Sequence, residues 1–338
     1  MKLYIAGSES LGTRGLSCFV DLGNRLFLID PGVALGYTRY GLHPHPLQAA
    51  FSEITKILIA MFWRRATDII VTHLHGDHVP LPNANPFQLP LGLLGGLNRE
   101  ALLWVKGRGL LRGREMARFE GLMNYFSGRA VYITAEGASD DVVRFSGPYP
   151  HGLNTETKVF IVGIGEGPNS IVHLSDTQLL VSDVIEKVGE WGARMVVTDG
   201  PPLYRLRGPV KLHVAERARA NALRLADHAD YVIIDHHVAR SVDGVRWIEG
   251  LRREVGDRVM CAADFMGRPR LLLEAWRRAT YDVMPVDTDW FVRDRYRGVG
   301  EALSMYGNVV EGLVREAPRE LTLNDAEFKR LLRRAVIA

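Results

Sequence analysis

Short apolar segments bounded by glycine, proline and aspartate recur through the first 75 residues, a pattern that predicts β-strands. They are KLYIAG, SCFVDL, RLFLIDPG and DIIVTH. Before the last of them, residues 46–66 (PLQAAFSEITKILIAMFWRRA) space their apolar side chains as a helix does. The segment THLHGDHVP at residues 72–80 therefore follows a helix and a strand. We expect it at the carboxyl end of that strand, the edge where open α/β sheets bind their ligands.

Strand-like segments return after residue 129 and flank one clear helical segment at residues 212–228, LHVAERARANALRLADH. This mixture of strands and helices predicts an α/β fold. Five of the segments finish at or near an aspartate, which places acidic side chains at strand ends. All of the strand-like segments together are AVYITA, KVFIVGI, SIVHLSD, LLVSD, RMVVTDG, DYVIIDHH and RVMCAADF. The aspartates are Asp176, Asp183, Asp199, Asp235, which His236 follows, and Asp264.

We expect one domain, residues 1–338, with two additions. Between residues 81 and 129 the pattern loosens into turns rich in proline and glycine and a basic helical piece, LLRGREMARFEGLMNYF. This stretch is predicted to be an insertion beside the histidine-rich segment. From about residue 268 to residue 338 the chain looks mainly helical and is predicted to form a capping C-terminal extension.

Composition excludes several classes of protein. With 338 residues, 47% of them hydrophobic and 24% charged, the chain is ordinary for a globular protein. Its longest apolar run, ILIAMFW at residues 57–63, falls far short of the ~20 residues that span a bilayer. The first residues show neither a complete hydrophobic region nor a cleavage site. We therefore expect a cytoplasmic protein with no membrane partner.

Cysteine usage and charge narrow the candidate chemistry further. Cys18 and Cys261 are the only cysteines and form no CxxC pair, so histidines and carboxylates must hold any bound metal. The formal net charge of +3 is too small to argue for nucleic-acid binding. Arginine dominates the basic residues, and glutamine, asparagine and cysteine are sparse, a bias of some thermophile proteins, although the scarcity of lysine points the other way.

The segment at residues 72–80 has the residue types and spacing of a metal site. His73, His75 and His78 with Asp77 form an H-x-H-x-D-H pattern. An extended or tightly turning backbone can aim alternate side chains at one point and the adjacent Asp and His at a second. Imidazole nitrogens and carboxylate oxygens suit Zn²⁺ at ~2.0–2.2 Å and tolerate Mn²⁺ or Fe²⁺. The pattern therefore predicts two divalent metal ions, with zinc favoured.

THLHGDH resembles the signature of the metallo-β-lactamase fold superfamily, in the form shared by its dinuclear hydrolases, which include tRNA 3′-processing endoribonucleases and glyoxalase II-like thioesterases. LFLIDPG, PYPHG, LSDT and IIDHH resemble its other conserved segments, so the resemblance covers roughly residues 2–264. It implies a four-layer αββα sandwich with an insertion after the H-x-H-x-D-H motif and a helical C-terminal extension. It also implies that metal one is held by His73, His75 and His151, metal two by Asp77, His78 and His236, with Asp176 bridging and Asp30 supporting the site.

A narrower resemblance rests on GTRGLSCFV, DPGVALGYTRYGLHPHP, THLHGDHVPLPNANPFQ, SDTQ, TDGPPLY and DHH. Together these segments are similar to an uncharacterised, largely archaeal branch of the superfamily whose members are described as metal-dependent hydrolases. That similarity names a fold and a reaction class. It names no substrate.

Two of the implied metal ligands have a rival close by. His173 is the alternative to His151, but it lies within a strand, three residues before the bridging aspartate, and is better interpreted as a neighbour packed under the site. His237 is the alternative to His236. We favour His236 because it comes first after the strand. Arg240 then follows four residues later, a spacing that resembles the last histidine motif of nuclease relatives.

Three departures from the superfamily pattern limit the function. Asp-His after the first ligand pair, rather than Asp-Arg, argues for two filled metal sites. Histidine at the third position, rather than the glutamate of flavodiiron relatives, disfavours electron transfer. HVP in place of the HxxG of tRNA-processing relatives weakens a direct tRNA nuclease assignment.

The implied chemistry is hydrolysis by a hydroxide that bridges the two metals. Asp77 would orient the nucleophile, and His237, or less readily His173, would protonate the leaving group. The favoured substrate is a phosphodiester, in a nucleic acid or a nucleotide. One alternative substrate class is an ester, thioester or lactone, and MFW, WVKG and FMG could supply apolar side chains to a pocket for it. The other alternative is a metal-binding protein without turnover.

Two loops hold the candidate substrate contacts. Arg39 and His43 lie in GYTRYGLHPHP, which is otherwise a rigid connector, and their charges suit an anionic group. Asp199 and Tyr204 lie in TDGPPLYRLRG, where the aspartate is otherwise a turn or a hydrogen-bond partner of a ligand histidine. The sequence leaves open whether the substrate is a small molecule or a nucleic acid, and whether the protein is a homo-oligomer.

Overall fold

The computed structural model describes residues 1–127, 132–291, 295–316 and 325–337. Residues 128 and 129, at the end of the predicted insertion, and parts of the predicted C-terminal extension lie outside this range, as does the start of the predicted strand AVYITA. None of the described helices combines the length and the apolar composition needed to cross a bilayer.

The described chain alternates strands and helices. The strands are β1 (Lys2–Gly7), β2 (Ser17–Asp21), β3 (Leu26–Ile29), β4 (Asp68–Val71), β5 (Leu102–Val105), β6 (Tyr132–Thr134), β7 (Val143–Phe145), β8 (Tyr149–His151), β9 (Asn154–Val159), β10 (Val162–Ile164), β11 (Ile171–His173), β12 (Met195–Thr198), β13 (Tyr231–Ile234) and β14 (Val259–Met260). The helices are α1 (Pro46–Arg65), α2 (Arg114–Phe126), α3 (Ser182–Trp191), α4 (Gly208–His228), α5 (Val242–Val255), α6 (Ala262–Phe265), α7 (Arg277–Val283), α8 (Arg295–Glu316) and α9 (Asp325–Ile337).

These strands form two six-stranded sheets and a two-stranded ribbon within the described residues. The first sheet has the order β1-β2-β3-β4-β5-β6, antiparallel up to β3 and parallel from β3 onward. The second has the order β14-β13-β12-β11-β10-β7, with the strands from β11 to β14 parallel. The ribbon pairs β8 with β9.

The two sheets face each other across a shared core, and each is covered on its other side by helices. Ile29 and Ile70 of the first sheet lie in one cluster with Val197 and Ile233 of the second. Trp63 of α1 and residues of α2 cover the outer face of the first sheet. Helices α3, α4 and α5 cover the second. These layers confirm the predicted αββα sandwich.

The structure departs from the predicted elements at three places. RVMCAADF was predicted to be a strand, but only Val259–Met260 is β14 and Ala262–Phe265 forms α6. The predicted insertion contains β5, which is a strand of the first sheet between β4 and β6, so residues 81–129 are partly integral to the fold. The segment LLVSD was predicted to be a strand, but Leu179 has a left-handed backbone (φ 57°) and α3 begins at Ser182. Two buried leucines thus lead into a helix.

The C-terminal part is mainly helical, as predicted. Helices α7, α8 and α9 share an apolar core with the first half of α1, and α8 packs along α1. Phe328 of α9 stacks on Trp276, with ring centroids 4.4 Å apart. Both rings are buried. The extension therefore covers the helix that precedes the histidine-rich segment.

Candidate metal centre

The loop that follows β4 carries the H-x-H-x-D-H residues, and Asp30 at the end of β3 holds this loop in place. One carboxylate oxygen of Asp30 accepts the backbone N–H of Thr72 at 2.8 Å. The other accepts the Thr72 hydroxyl at 2.8 Å and lies 2.9 Å from Nδ1 of His78. With Nδ1 bound to Asp30, His78 turns Nε2 toward the site. Support of this kind orients metal-binding histidines.

The remaining candidate ligands come from later in the chain. His151 ends β8, Asp176 follows β11, and His236 follows β13. The loop after β11 is tightly wound, because Ser175, Gln178 and Leu179 all have positive φ. Side chains from both sheets therefore meet at one edge of the sandwich.

The first ligand group consists of His73, His75, His151 and Asp176, whose ligand atoms all lie within 4.8 Å of one another. Nε2 of His73 is 3.6 Å from Oδ2 of Asp176, and Nε2 of His151 is 3.0 Å from the same oxygen. This is the set implied for metal one, with the bridging aspartate.

The second group consists of Asp77, His78 and His236. Nε2 of His78 and Nε2 of His236 are 3.2 Å apart, and Nε2 of His236 is 3.7 Å from Oδ2 of Asp77. Oδ2 of Asp176 lies 3.3 Å from the His78 nitrogen and 3.5 Å from the His236 nitrogen. Asp176 therefore lies between both groups, as a bridging ligand must.

The atoms at this centre fit a divalent cation. Nε2 of His73 and Oδ1 of Asp176 are buried and have no hydrogen-bond partner among the described residues. Buried polar atoms are normally paired, and a divalent ion held by nitrogen and oxygen ligands would satisfy these two. The clusters thus support divalent metal binding.

Charges within the centre favour ionised carboxylates and, in the first group, neutral imidazoles. Burial alone would raise the pKa of Asp176, but His78 and His236 lower it well below its usual range. Burial, reinforced by the neighbouring histidines, lowers the pKa of His73 well below its usual range and that of His75 to about 4. These protonation states are the ones that bind metal.

The rival histidines occupy distinct places. Nε2 of His173 lies 3.2 Å from the Leu16 carbonyl, and its Nδ1 accepts the Ser175 N–H at 3.2 Å, so both ring nitrogens bind backbone. His237 lies beside His236 and holds Nδ1 2.6 Å from Oδ2 of Asp199, with Nε2 3.8 Å from Oδ2 of Asp176. His236 groups with Asp77 and His78, whereas His237 shares a group with His236 and Asp176 only.

The predicted substrate residues are placed unequally. Tyr204 lies beside the centre, where its hydroxyl accepts a hydrogen bond from Nη1 of Arg240 at 3.1 Å. Arg39 donates to the Arg240 carbonyl at 2.8 Å and lies over the Tyr204 ring. Asp199 is fully buried behind His237, where it supports the imidazole. His43 bonds the Tyr37 carbonyl. None of the four predicted substrate residues is among those that line the cleft over the metal centre.

Two of the aspartates predicted at strand ends lie away from the centre. Asp183 is exposed in the first turn of α3. Asp264 lies in α6, where it accepts the Cys261 N–H and binds the Arg270 guanidinium through both oxygens. Neither shares a ligand group with the histidines.

A cleft of about 470 Å³ opens over both ligand groups. Its volume lies in the range of small-molecule sites. His75, Asp77, His151 and Asp176 reach it from the metal centre, and three arginines are among the other residues that line it. The arginines are Arg14, Arg205 and Arg240.

Sequence reasoning missed two residues that organise this cleft. Glu9 binds Nδ1 of His236 at 2.8 Å and Nε of Arg240 at 2.6 Å. Arg14 binds Glu274 through two nitrogens, at 3.2 and 2.5 Å. Arg14 stands between glycines in GTRG, which was the only available signal. Glu9 carried none, because a lone glutamate in a loop is typical of a solvated surface.

Comparison with known proteins decides the family. The chain is 38% identical over 295 residues to a UPF0282 protein of Methanosarcina mazei, a match that covers 86% of this chain and 95% of the relative. The chain belongs to the UPF0282 family. A UPF0282 protein of Korarchaeum cryptofilum is 30% identical over 296 residues, covering 85% of this chain and 96% of the relative. The predicted similarity to a largely archaeal branch is thus confirmed. No family model matches the chain.

Solved structures similar to this UPF0282 protein include a metal-dependent hydrolase of the β-lactamase superfamily. That likeness has a TM-score of 0.44 and 14% identity, and it covers 77% of this chain and 94% of the other. The dizinc quorum-quenching lactonase AidC gives a TM-score of 0.35 and 11% identity, over 55% of this chain and 72% of the other. These are likenesses of fold alone.

Proposed function

We propose that this UPF0282 protein is a metal-dependent hydrolase that cleaves a phosphodiester with two divalent metal ions. The observation that carries the proposal is the position of Asp176. Its carboxylate is part of the first ligand group. Its Oδ2 also lies within 3.5 Å of Nε2 of both histidines of the second group. The same residue faces a cleft lined by three arginines.

Two bound ions would supply an acidified water molecule and a polarised scissile oxygen. Asp77 would orient that water from the cleft side. Burial alone would raise the pKa of Asp77, but His78, His236 and Arg240 hold it far below its usual range. Its carboxylate therefore stays ionised and can accept a hydrogen bond from the attacking water.

The arginines favour a phosphoryl substrate over a carbonyl substrate. A phosphodiester carries a negative charge in the ground state, and guanidinium groups bind phosphoryl oxygens with two parallel hydrogen bonds. Arg205 is exposed at the cleft, and Arg14 is fixed there by Glu274. Three apolar residues, Leu153, Pro202 and Leu206, also line the cleft. Esters, thioesters and lactones would make less use of the cationic groups.

His237 is placed to serve the leaving group. It lines the cleft next to His236, and Asp199 holds its Nδ1 at 2.6 Å. That contact fixes the ring so that Nε2 faces Asp176 and the reacting groups. Asp199 accepts at Nδ1 and burial lowers the pKa of His237 well below its usual value. Nε2 would therefore first take up the proton of the attacking water and then pass it to an alkoxide leaving group.

The test is hydrolysis by protein stripped of metal and reloaded with Zn²⁺ or Mn²⁺. We expect turnover of bis-p-nitrophenyl phosphate and little turnover of p-nitrophenyl acetate or a homoserine lactone. Asp176→Asn should abolish turnover and reduce bound metal, measured by plasma mass spectrometry. Asp183→Asn is the matched control, since Asp183 is exposed and outside both ligand groups.

Three results would contradict the proposal. Turnover of the ester or lactone alone would assign a carbonyl substrate to the same centre. Metal binding without turnover of any of these substrates would indicate a metal-binding protein that is not an enzyme. Metal content that is unchanged in Asp176→Asn would remove the ligand assignment.

A further inference from the structure

Arg240 is a buried arginine that makes direct contact with two candidate metal ligands. It ends the short turn Val238–Arg240 after β13 and is 5% exposed. Nη2 lies 2.9 Å from Nε2 of His236 and 3.1 Å from Oδ2 of Asp77. An arginine donates through every nitrogen, so the Asp77 oxygen accepts from Nη2 here.

Glu9 holds both His236 and the arginine. One oxygen of Glu9 lies 2.8 Å from Nδ1 of His236, and the other accepts Nε–H of Arg240 at 2.6 Å. Nη2 of Arg240 lies 3.3 Å from Nδ1 of His236 as well as 2.9 Å from Nε2, so it stands against the face of the imidazole and not in line with a ring lone pair. Its hydrogen bond therefore goes to Asp77.

The second metal ion would need the same carboxylate. The second ligand group uses Nε2 of His236 and a carboxylate oxygen of Asp77. Of these two ligands, Asp77 accepts the hydrogen bond of the guanidinium. An oxygen held in this way is less available to a metal ion, and two cations at this distance repel each other. No arginine or lysine makes a comparable contact with His73, His75 or His151 among the hydrogen bonds of the described residues.

We propose that the Arg240 guanidinium and the second divalent ion compete for Asp77. The second ion therefore binds more weakly than the first, and its binding displaces Nη2 of Arg240. The anchors at Glu9 and Tyr204 keep the displaced side chain beside the cleft, where it can contact a substrate anion. The inference rests on the metal ligands of the proposed function, and it concerns the order in which they fill.

The experiment is equilibrium titration of metal-free protein with Zn²⁺ by calorimetry, and with Co²⁺ by its visible absorption. In the wild type we expect two binding events, the second at least about tenfold weaker. Arg240→Gln should tighten the second event by about 10- to 100-fold, the range over which groups around a site change metal affinity. The first event should change by less than about threefold, since its ligands do not contact Arg240.

Two further variants make the result specific. Arg205→Gln removes an exposed arginine of the same cleft that contacts no metal ligand among the described hydrogen bonds, so both metal affinities should stay at their wild-type values. Arg240→Lys keeps the positive charge opposite buried Glu9, and it replaces the glutamine variant if that protein is unstable. Its single nitrogen cannot reach Glu9 and Asp77 together, so it should also tighten the second event.

Unchanged affinity for the second ion in both Arg240 variants would overturn the inference, as would a wild type that binds two ions equally. Both of these results leave the proposed function intact. Failure of the wild type to bind any ion would instead remove the metal centre, and with it both proposals.

Discussion

His236 shows how the chain fixes a ligand in an unfavourable conformation. Its backbone is left-handed, with φ of 54°, which costs about 1–3 kcal/mol for a residue other than glycine. Asp235 offsets this strain by accepting the N–H groups of Ser10 and His236 on one oxygen and that of Ala262 on the other. The imidazole is then held by Glu9. Strain at this position fits a functional site.

Metal retention should depend on pH in two steps. Burial lowers the pKa of His73 and His75, the latter to about 4, so these ligands stay neutral in weak acid. Burial alone would also lower the pKa of His78, but Asp176 and Asp30 raise it well above its usual value. Burial would lower the pKa of His236 too, but Glu9 raises it to about 9. Around neutral pH protons therefore compete with metal at both histidines, and affinity at the second group should fall by up to about a hundredfold per pH unit on acidification.

The measurement is metal content after dialysis against a weak chelator. We expect about two ions per chain at roughly pH 8.5 and about one at roughly pH 5.5, a range in which His75 is still neutral. Loss of both ions in one step would contradict the prediction that the pKa is lowered for histidines of the first group and raised for those of the second.

Replacing His237 should show whether it acts as a proton donor or as a metal ligand. For a donor, His237→Gln should slow an alkyl phosphodiester by about 10²- to 10⁴-fold, because an alkoxide needs a proton. Bis-p-nitrophenyl phosphate should be slowed much less, because p-nitrophenolate leaves without one. Metal content should match that of the wild type. Loss of one ion and equal slowing of both substrates would make His237 a ligand.

The local motif was predictable, but the residues that tune it were not. His73, His75, Asp77 and His78 lie within six positions, so one short segment displays them together. Glu9 reaches His236 across 227 positions of sequence, and Arg14 reaches Glu274 across 260. Pairing over such separations depends on how the two sheets pack, which residue spacing does not encode.

Strands flanked by clear turn residues were predicted correctly, whereas short apolar runs in irregular surroundings were not. DIIV stands before a histidine motif and is β4, but LLWV stands among turns and was assigned to an insertion although it forms β5. A run of four apolar residues carries no period that distinguishes a buried strand from a buried loop. LLVSD failed for a related reason, since its leucines are buried without being extended.

Gly32, which follows β3, should not tolerate a side chain. A Cβ at this position would lie 2.4 Å from backbone atoms of His78 and Val79. The loop that carries the H-x-H-x-D-H residues would have to move, and overpacking of this kind costs about 1–3 kcal/mol. Gly32→Ala should lower the free energy of unfolding by that amount and weaken metal binding.

Gly147→Ala is the matched control for this clash. Nothing lies within 4 Å of a Cβ at Gly147, and its backbone, like that of Gly32, is outside the left-handed region. Urea unfolding and metal titration of both variants check the prediction. Equal effects at the two glycines would mean that the clash at His78 is relieved without moving the ligands.

The predicted single domain can be tested through the C-terminal helices. Phe328 is fully buried against Trp276 in the core that α7, α8 and α9 share with α1. Phe328→Ala should destabilise the protein by about 3–5 kcal/mol. If the chain is one domain, the whole molecule should still unfold in a single transition at a lower temperature.

Differential scanning calorimetry measures both quantities. Val336→Ala is the control, because Val336 lies on the same helix and is 48% exposed. An early transition that affects only part of the heat absorption would show that the extension unfolds separately from the sandwich.

The ligand groups draw on both sheets, and this gives a bound ion a mechanical role. His78 follows a strand of the first sheet and His236 follows a strand of the second, 158 positions later in the chain. An ion held by both would act as a cross-link that closes a long loop and ties the two halves of the sandwich together. Because such an ion binds the folded chain and not the unfolded one, metal supply would set the lifetime of the protein as well as its activity.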